Sequence, residues 1–159
     1  MSVYRPISFS NVEETDRPAA AGVLATLIEA SPLAIVTFNP EGVVTLWNPA
    51  AERIFGWAEN EALGTRLPFV PAEKQIEFLA LRQRTLLGEA FTEPELHRRR
   101  ADGSPIVVSA STAPLHRTDG TIYGILSILM DVTDHRSSED EEAVRQLTRK
   151  VREALDFVL

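Results

Sequence analysis

Hydrophobic residues recur along this chain with two different spacings, which separate its helices from its strands. In AGVLATLIEAS the apolar residues Val23, Leu24, Leu27 and Ile28 have helical spacing, which predicts a helix that Pro32 ends. The runs LAIVTF and VVTLW are short and apolar, and the NPEG between them supplies turn residues. They predict a β-hairpin after the helix.

The middle of the chain predicts three more helices followed by three strands. Asn48 and Pro49 are suited to the start of the helix NPAAERIFGW. The short helix AENEALGTRL follows, and then a longer one, PAEKQIEFLALRQRTLLG, which Gly88 ends. The strands FTEPELHRRR, SPIVVSASTAPLHR and TIYGILSILMDVT are joined by Asp-Gly turns. This order predicts an α+β fold, with one antiparallel sheet and helices on one face.

Composition narrows the class of protein without naming it. The 159 residues, 44% hydrophobic and 25% charged, fit one globular domain with extensions. The chain has no cysteine, so disulfides, zinc–cysteine sites and thiolate chemistry are excluded. No apolar run approaches the ~18 residues of a membrane span, and we expect a cytoplasmic protein. A net charge of -7 argues against nucleic acid and anionic membranes as partners.

From residue 21 to residue 136 the chain resembles a PAS (Per-Arnt-Sim) sensory domain of the bacterial signal-transduction type. The resemblance rests on the order and spacing of FNPEGVVTLWNPAAERIFGW, EALG, RRRADGSPIVVSASTAPL and DGTIYGILSILMDVTD. It implies a five-stranded antiparallel sheet, of order 2-1-5-4-3, that encloses a small-molecule pocket. The expected division is a flexible arm over 1–20, the PAS domain over 21–136, and an amphipathic signalling helix over 137–159.

The resemblance also implies which side chains face the pocket. The pocket would be mostly apolar, with Ser127, Thr112 and Arg98 as polar groups, and would suit a small apolar or amphipathic ligand. The same side chains could instead fill a solid core, leaving a domain that serves only protein–protein interaction. The expected ligand-binding residues are Val36, Phe38, Phe55, Phe69, Leu79, Arg98, Val108, Ala110, Thr112, Ser127 and Leu129, with Ala34, Ile76, Leu96 and Ile106 beside them.

Residue types argue against the cofactors that PAS relatives carry and against catalysis. Haem-binding relatives supply a histidine from the long central helix, which here has none. Photoactive flavin-binding relatives need a cysteine, and Val108 and Leu129 stand where those relatives have Asn and Gln. The chain shows no Gly-rich phosphate loop, metal-ligand spacing or nucleophile elbow. We therefore expect no cofactor, no metal and no enzymatic activity.

The segment LMDVTDHR joins the last strand to the last helix, and the resemblance makes it the signal junction. Asp131 and Thr133 can hydrogen-bond backbone groups at such a turn. Asp134 is expected to cap the helix, and Arg136 is within reach of Asp131. The helix would pass the signal to an effector such as a histidine kinase, which this chain does not contain.

Apolar residues on both faces of the last strand predict self-association. The outward set would pack on the first helix or on a second copy of the chain, and the last helix carries a 3-4-3-4 apolar seam of the coiled-coil type. We expect a homodimer, although that helix could instead fold back on its own sheet. The expected dimer residues are Leu24, Leu27, Leu126, Ile128, Met130, Val144, Leu147, Val151 and Val158.

Overall fold

A computed structural model describes residues 17–134 and 138–158 of the chain. Its helices are α1 (Arg17–Ala30), α2 (Pro49–Phe55), α3 (Glu59–Ala62), α4 (Gln75–Leu86) and α5 (Ser138–Val158). A single 3₁₀ turn, Ala72–Lys74, precedes α4. The strands are β1 (Ala34–Phe38), β2 (Val44–Trp47), β3 (Phe91–Arg99), β4 (Pro105–His116) and β5 (Ile122–Asp131).

The five strands form one antiparallel sheet in the order β2-β1-β5-β4-β3, which confirms the predicted fold. The β4–β5 hairpin closes through the predicted Asp-Gly turn, where Gly120 has a φ of 88° that only glycine adopts without strain. The longest strands, β4 and β5, pair over nearly their whole length. Of the two, β5 is the central strand of the sheet.

Asn48 confirms its predicted role as the cap of α2 and also ties three elements together. Its Oδ1 accepts hydrogen bonds from the backbone N–H groups of Ala51 at 3.0 Å and of Ile35 at 2.9 Å. Its Nδ2 donates to the carbonyl oxygens of Ile28 and Leu33, both at 3.0 Å. One buried side chain therefore satisfies groups at the end of α1, in β1 and at the start of α2.

Two hydrophobic clusters lie on opposite faces of the sheet. The inner cluster, under α2 to α4, includes Trp47, Phe55 and Phe69, whose rings contact one another. The outer cluster joins β5 to α1 and α5. The sheet is thus the middle layer of three, and both faces of β5 are buried.

Helix α1 begins earlier than the sequence indicated. It starts at Arg17, whereas a flexible arm was predicted to reach residue 20. Ala20 is 1% exposed and packs as part of the fold. The apolar spacing marks only the first large hydrophobic residue, while the alanines before it are good helix formers without such a signal.

The predicted dimer surface is wrong in its main parts, because one chain covers it. Helix α5 folds back on its own sheet, and its end is fixed where the His116 backbone N–H donates to Asp156 Oδ1 at 2.8 Å. An apolar stripe on a helix packed against its own sheet has the same spacing as a coiled-coil seam. Leu24, Leu126, Ile128, Val144 and Val151 are buried in this contact, Met130 and Leu147 are half-buried, and Leu27 is exposed. The side chain of Val158 lies outside the described residues.

Candidate functional site

A small cavity lies between the inner face of the sheet and α4. Its volume is about 40 Å³, and its wall is mostly apolar. Strands β1, β3, β4 and β5 supply one side, and α4 closes the other. The lining residues are Phe38, Leu67, Phe69, Phe78, Leu81, Arg82, Thr85, Phe91, Glu93, Leu96, Arg98, Ala110, Thr112, Ile125, Ser127 and Leu129.

Polar side chains line the cavity at two places, one on the neighbouring strands β4 and β5 and one on β3. On the sheet, the hydroxyls of Thr112 and Ser127 are hydrogen-bonded to each other at 3.0 Å. On β3, the side chain of Arg98 is only 3% exposed, and its Nη1 donates to Glu77 Oε1 on α4 at 2.7 Å. The same nitrogen donates to the carbonyl oxygen of His97 at 2.9 Å. The Arg98–Glu77 pair therefore holds α4 down over the cavity.

A second ionic cluster lies beside the cavity, at the end of α4. Arg84 donates to Glu89 at 2.6 and 3.0 Å and to Glu93 at 3.1 Å, and its guanidinium lies 4.0 Å from the centre of the Phe91 ring. The hydrogen bonds from Arg84 hold the pKa of Glu89 below its usual value. They also raise the pKa of Arg84, so the guanidinium stays charged. This cluster fixes Phe91 in the cavity wall.

The structure places most of the expected pocket residues at or beside this cavity. Seven of the expected set line it, namely Phe38, Phe69, Arg98, Ala110, Thr112, Ser127 and Leu129. Val36, Phe55 and Val108 are buried in the inner cluster without lining the cavity. Of the four residues expected beside them, Leu96 lines the cavity, whereas Ala34 and Ile106 are part of the inner cluster.

The expected inward face of α4 was wrong. Leu79 is 47% exposed and Ile76 is 85% exposed, so both point away from the cavity. Phe78, Leu81 and Thr85, spaced three and four apart, line it instead. Because apolar residues occur around the whole circumference of α4, their spacing did not identify the buried face. Arg82 and Glu93 also went unnoticed, since charged residues rarely signal a cavity wall.

In the segment expected to be the signal junction, Asp131 and Thr133 accept hydrogen bonds from backbone groups, as predicted. Asp131 Oδ1 accepts from the Thr133 hydroxyl at 2.6 Å and from its backbone N–H at 3.0 Å. Thr133 Oγ1 in turn accepts from the backbone N–H of Val107 at 3.2 Å. The other carboxylate oxygen of Asp131 lies 3.3 Å from Arg100 Nη2. The partner expected from sequence, Arg136, lies outside the described residues.

The remaining expectation at the junction was the capping of the last helix by Asp134. The structure places Asp134 in a bend and begins the described helix at Ser138. Residues 135–137, between Asp134 and this helix, lie outside the described part of the chain, so the predicted cap stays a prediction. Within the described ranges, no group of three or more His, Cys, Asp or Glu residues could hold a metal ion. No helix of the described residues is long and apolar enough to cross a membrane.

A five-stranded antiparallel sheet, with a cavity under its helices and a further helix after its central strand, is the architecture of a sensory domain. The chain belongs to the PAS family, since the family model described as PAS fold matches residues 28–137. This match confirms the family that the sequence motifs indicated.

Individual relatives are distant in sequence. The sensor protein FixL of Bradyrhizobium diazoefficiens is 24% identical over an alignment of 131 positions that covers 73% of this chain. This chain spans 24% of the length of that relative. A PAS domain from Colwellia psychrerythraea has a TM-score of 0.66 at 19% identity, covering 72% of this chain and 98% of that one. The LOV protein of Rhodobacter sphaeroides has a TM-score of 0.62 at 17% identity, covering 92% and 96%.

Proposed function

We propose that this PAS domain binds a small amphipathic ligand in its central cavity and passes the signal through β5 to α5. One observation carries the proposal, namely the position of β5 between the cavity and the last helix. Ser127 and Leu129 line the cavity on one face of β5, whereas Leu126 and Ile128 pack against the outer helices. A ligand that displaces β5 therefore acts on both of its faces.

The size of the cavity limits the ligand. Because a water molecule needs roughly 10–15 Å³ in such a space, a cavity of 40 Å³ holds about three water-sized groups. The apolar wall suits a short hydrocarbon chain, and the hydroxyls of Thr112 and Ser127 suit a single polar end. A larger ligand needs α4 to move outward, which breaks the contact between Arg98 and Glu77.

The junction offers a route from the cavity to α5. Asp131 lies two residues beyond Leu129 on the same face of β5. Its carboxylate holds Thr133, and Thr133 holds the backbone of β4 at Val107. A shift of β5 along β4 would strain these short hydrogen bonds. The ligand can move the population of α5 positions only by as much as its affinities for the two states differ.

The proposal is tested with 1-butanol as a probe, whose five heavy atoms exceed the free space and therefore require α4 to move outward. Backbone amide shifts in the NMR spectrum of the whole chain should change around the cavity and also in α5. Ser127→Leu should abolish these changes by filling the space, whereas Ser127→Ala removes only the hydroxyl and should weaken them. Native mass spectrometry of freshly purified protein adds a direct search for a retained natural ligand. Shifts confined to the surface, and unchanged in Ser127→Leu, would contradict ligand binding in the cavity.

A second candidate is a domain that binds no ligand and serves only protein–protein interaction. The small cavity supports it, and so do three exposed apolar side chains, Ile76, Leu79 and Leu87, on or beside α4. In that case Ser127→Leu should leave the binding of protein partners unchanged. For either candidate we propose a downstream effector such as a histidine kinase. Self-association stays a prediction without an assigned surface, because α5 covers the surface first expected.

A further inference from the structure

A second groove, on the opposite side of the sheet, has the composition of an anion site. It has a volume of about 200 Å³ and lies between α5 and the strands β3 and β4. Three arginines of α5 line it, together with four hydroxyl side chains. The lining residues are Ala90, Phe91, Thr92, Ser111, Thr112, Ala113, Arg145, Thr148, Arg149 and Arg152.

The arginines converge because of their spacing. Arg145, Arg149 and Arg152 are four and three residues apart, so they lie on one face of α5 with neighbouring Cβ atoms about 5–6 Å apart. Like charges at this spacing repel one another and destabilise a helix. No carboxylate lines the groove in the part of the chain that the structure describes. A bound anion would remove this repulsion.

Neighbouring acids neutralise the cluster only weakly. Glu142 lies 3.5 Å from Arg145, and Glu153 lies 4.0 Å from Arg152. Both glutamates are solvated and both N–O distances are long, so these pairs contribute little. Among the described residues, the guanidinium of Arg149 has neither an ion pair nor a hydrogen bond. The groove therefore keeps most of its positive charge, within a chain of net charge -7.

The floor of the groove can complete the binding of an oxyanion. The hydroxyls of Thr92 and Ser111 lie 3.1 Å apart, and only one of the two needs to donate in that contact. The other hydroxyl hydrogen is free to point at a bound oxygen. Guanidinium groups bind phosphate through paired N–H donors, and three of them match a multiply charged anion better than a carboxylate.

Beside this groove the contact between α5 and the sheet includes buried polar side chains. The hydroxyl of Ser109, on the β4 face below α5, is fully buried and has no hydrogen-bond partner among the described residues. Ser111 and Thr148 are buried nearby, whereas Val151, Ala154 and Leu155 supply the apolar contact further along α5. An anion that joins Arg145 and Arg149 to β3 and β4 would hold this part of α5 in place.

We propose that the groove between α5 and the β3–β4 hairpin binds a phosphate ester or diphosphate group, which fixes α5 on the sheet. The bound group would contact the three guanidiniums and the hydroxyls of Thr92 and Ser111. The site lies across the sheet from the central cavity, although Phe91 and Thr112 line both spaces. Its occupancy would set how easily α5 leaves the sheet.

The test uses pyrophosphate as the probe and the whole chain, with sodium chloride at equal ionic strength as the comparison. Calorimetry should show binding of pyrophosphate, and hydrogen exchange of the α5 amides should slow. Arg149→Gln should weaken this binding about ten-fold or more, because one charged donor is lost. Lys150→Gln, which removes the same charge from an exposed neighbouring position, should weaken it less than about two-fold.

Two further variants separate binding from folding and from simple screening. Arg149→Lys keeps the charge and the helix but lacks the planar pair of donors, so it should bind more weakly than the natural chain. ADP distinguishes the source of the phosphate, since equal affinity for ADP and pyrophosphate assigns recognition to the phosphates alone. Equal losses in Arg149→Gln and Lys150→Gln would overturn the proposal, as would no binding of pyrophosphate or ADP beyond that of chloride.

Discussion

The two ion pairs that join the α4 region to β3 should differ sharply in their effect on stability. Arg98–Glu77 and Arg99–Glu73 are adjacent on β3 and have similar N–O distances, 2.7 and 3.1 Å. Their exposures differ, because the side chain of Arg98 is 3% exposed and that of Arg99 is 51% exposed. Removing Glu77 therefore leaves a buried guanidinium without its partner, whereas removing Glu73 leaves an exposed one.

The expected magnitude follows from which charge stays buried. Removing one partner of a fully buried pair costs about 3–5 kcal/mol, since the other charge is left uncompensated. The carboxylate of Glu77 is 38% exposed, so this pair is only partly buried. We expect Glu77→Ala to lower the free energy of unfolding by about 1–3 kcal/mol. Glu73→Ala should leave the free energy of unfolding unchanged within error, because both members of the Arg99–Glu73 pair are solvated.

Urea denaturation followed by tryptophan fluorescence measures both variants. Arg98→Met should cost less than Glu77→Ala, because Glu77 can turn to water whereas Arg98 cannot. The double variant should recover most of the stability that Glu77→Ala loses. Equal losses for Glu77→Ala and Glu73→Ala would refute the argument, and so would a double variant as unstable as the sum of its parts.

Three further predictions concern single features of the fold and its contents. Protein purified from cells should show no stoichiometric absorbance band above the aromatic region, since we expect neither haem nor flavin. The hydrogen bond from the Ser104 hydroxyl, with that from its backbone, lowers the pKa of Asp102. An NMR titration should place the pKa of Asp102 below its usual value, and the Ser104→Ala variant should bring it closer to that value. The stability that the Asp102 carboxylate contributes is lost as the pH falls through the lowered pKa. Asn48→Ala should lower the free energy of unfolding by about 2–4 kcal/mol in urea titrations, because three buried backbone groups lose the partner that Asn48 supplies.

Local signals in the sequence were sufficient to predict the helices and strands and their order along the chain. The cap at Asn48 and the turn at Gly120 depend on side chains and backbone within a few residues, so their chemistry is readable directly. The pairing order of the sheet came from the resemblance to the PAS family. The same resemblance placed Thr112 and Ser127 on the cavity side, where the structure has them.

Contacts between distant segments were not readable in the same way. The stripe of Val144, Leu147 and Val151 fits a coiled coil and an intrachain contact equally well. The residues that decide between them are small ones on the outer face of β4, Ser109 and Ser111, more than thirty positions earlier. They let α5 approach the sheet closely. Likewise, the ion pair of Arg98 with Glu77 crosses from a strand to a helix, and neither residue signals the other.

The cavity and the groove share part of their walls, which couples the two proposed sites. Phe91 and Thr112 line both spaces, and Arg84 fixes the Phe91 ring from the side. A ligand that moves either side chain in one space changes the shape of the other. Thermodynamic linkage makes this effect reciprocal. Pyrophosphate should change the affinity for 1-butanol by a certain factor, and 1-butanol should change the affinity for pyrophosphate by the same factor.

Titrating each probe at several fixed concentrations of the other measures this factor in both directions. Phe91→Leu keeps an apolar wall but removes the ring that both spaces share, so it should bring the factor close to one. Arg53→Gln, an exposed change on α2 away from both sites, serves as the matched control and should leave the factor unchanged. If both probes bind the natural chain independently, with a factor of one, then the shared wall is rigid and carries no signal. The route from cavity to helix would in that case depend on β5 and its junction at Asp131 alone.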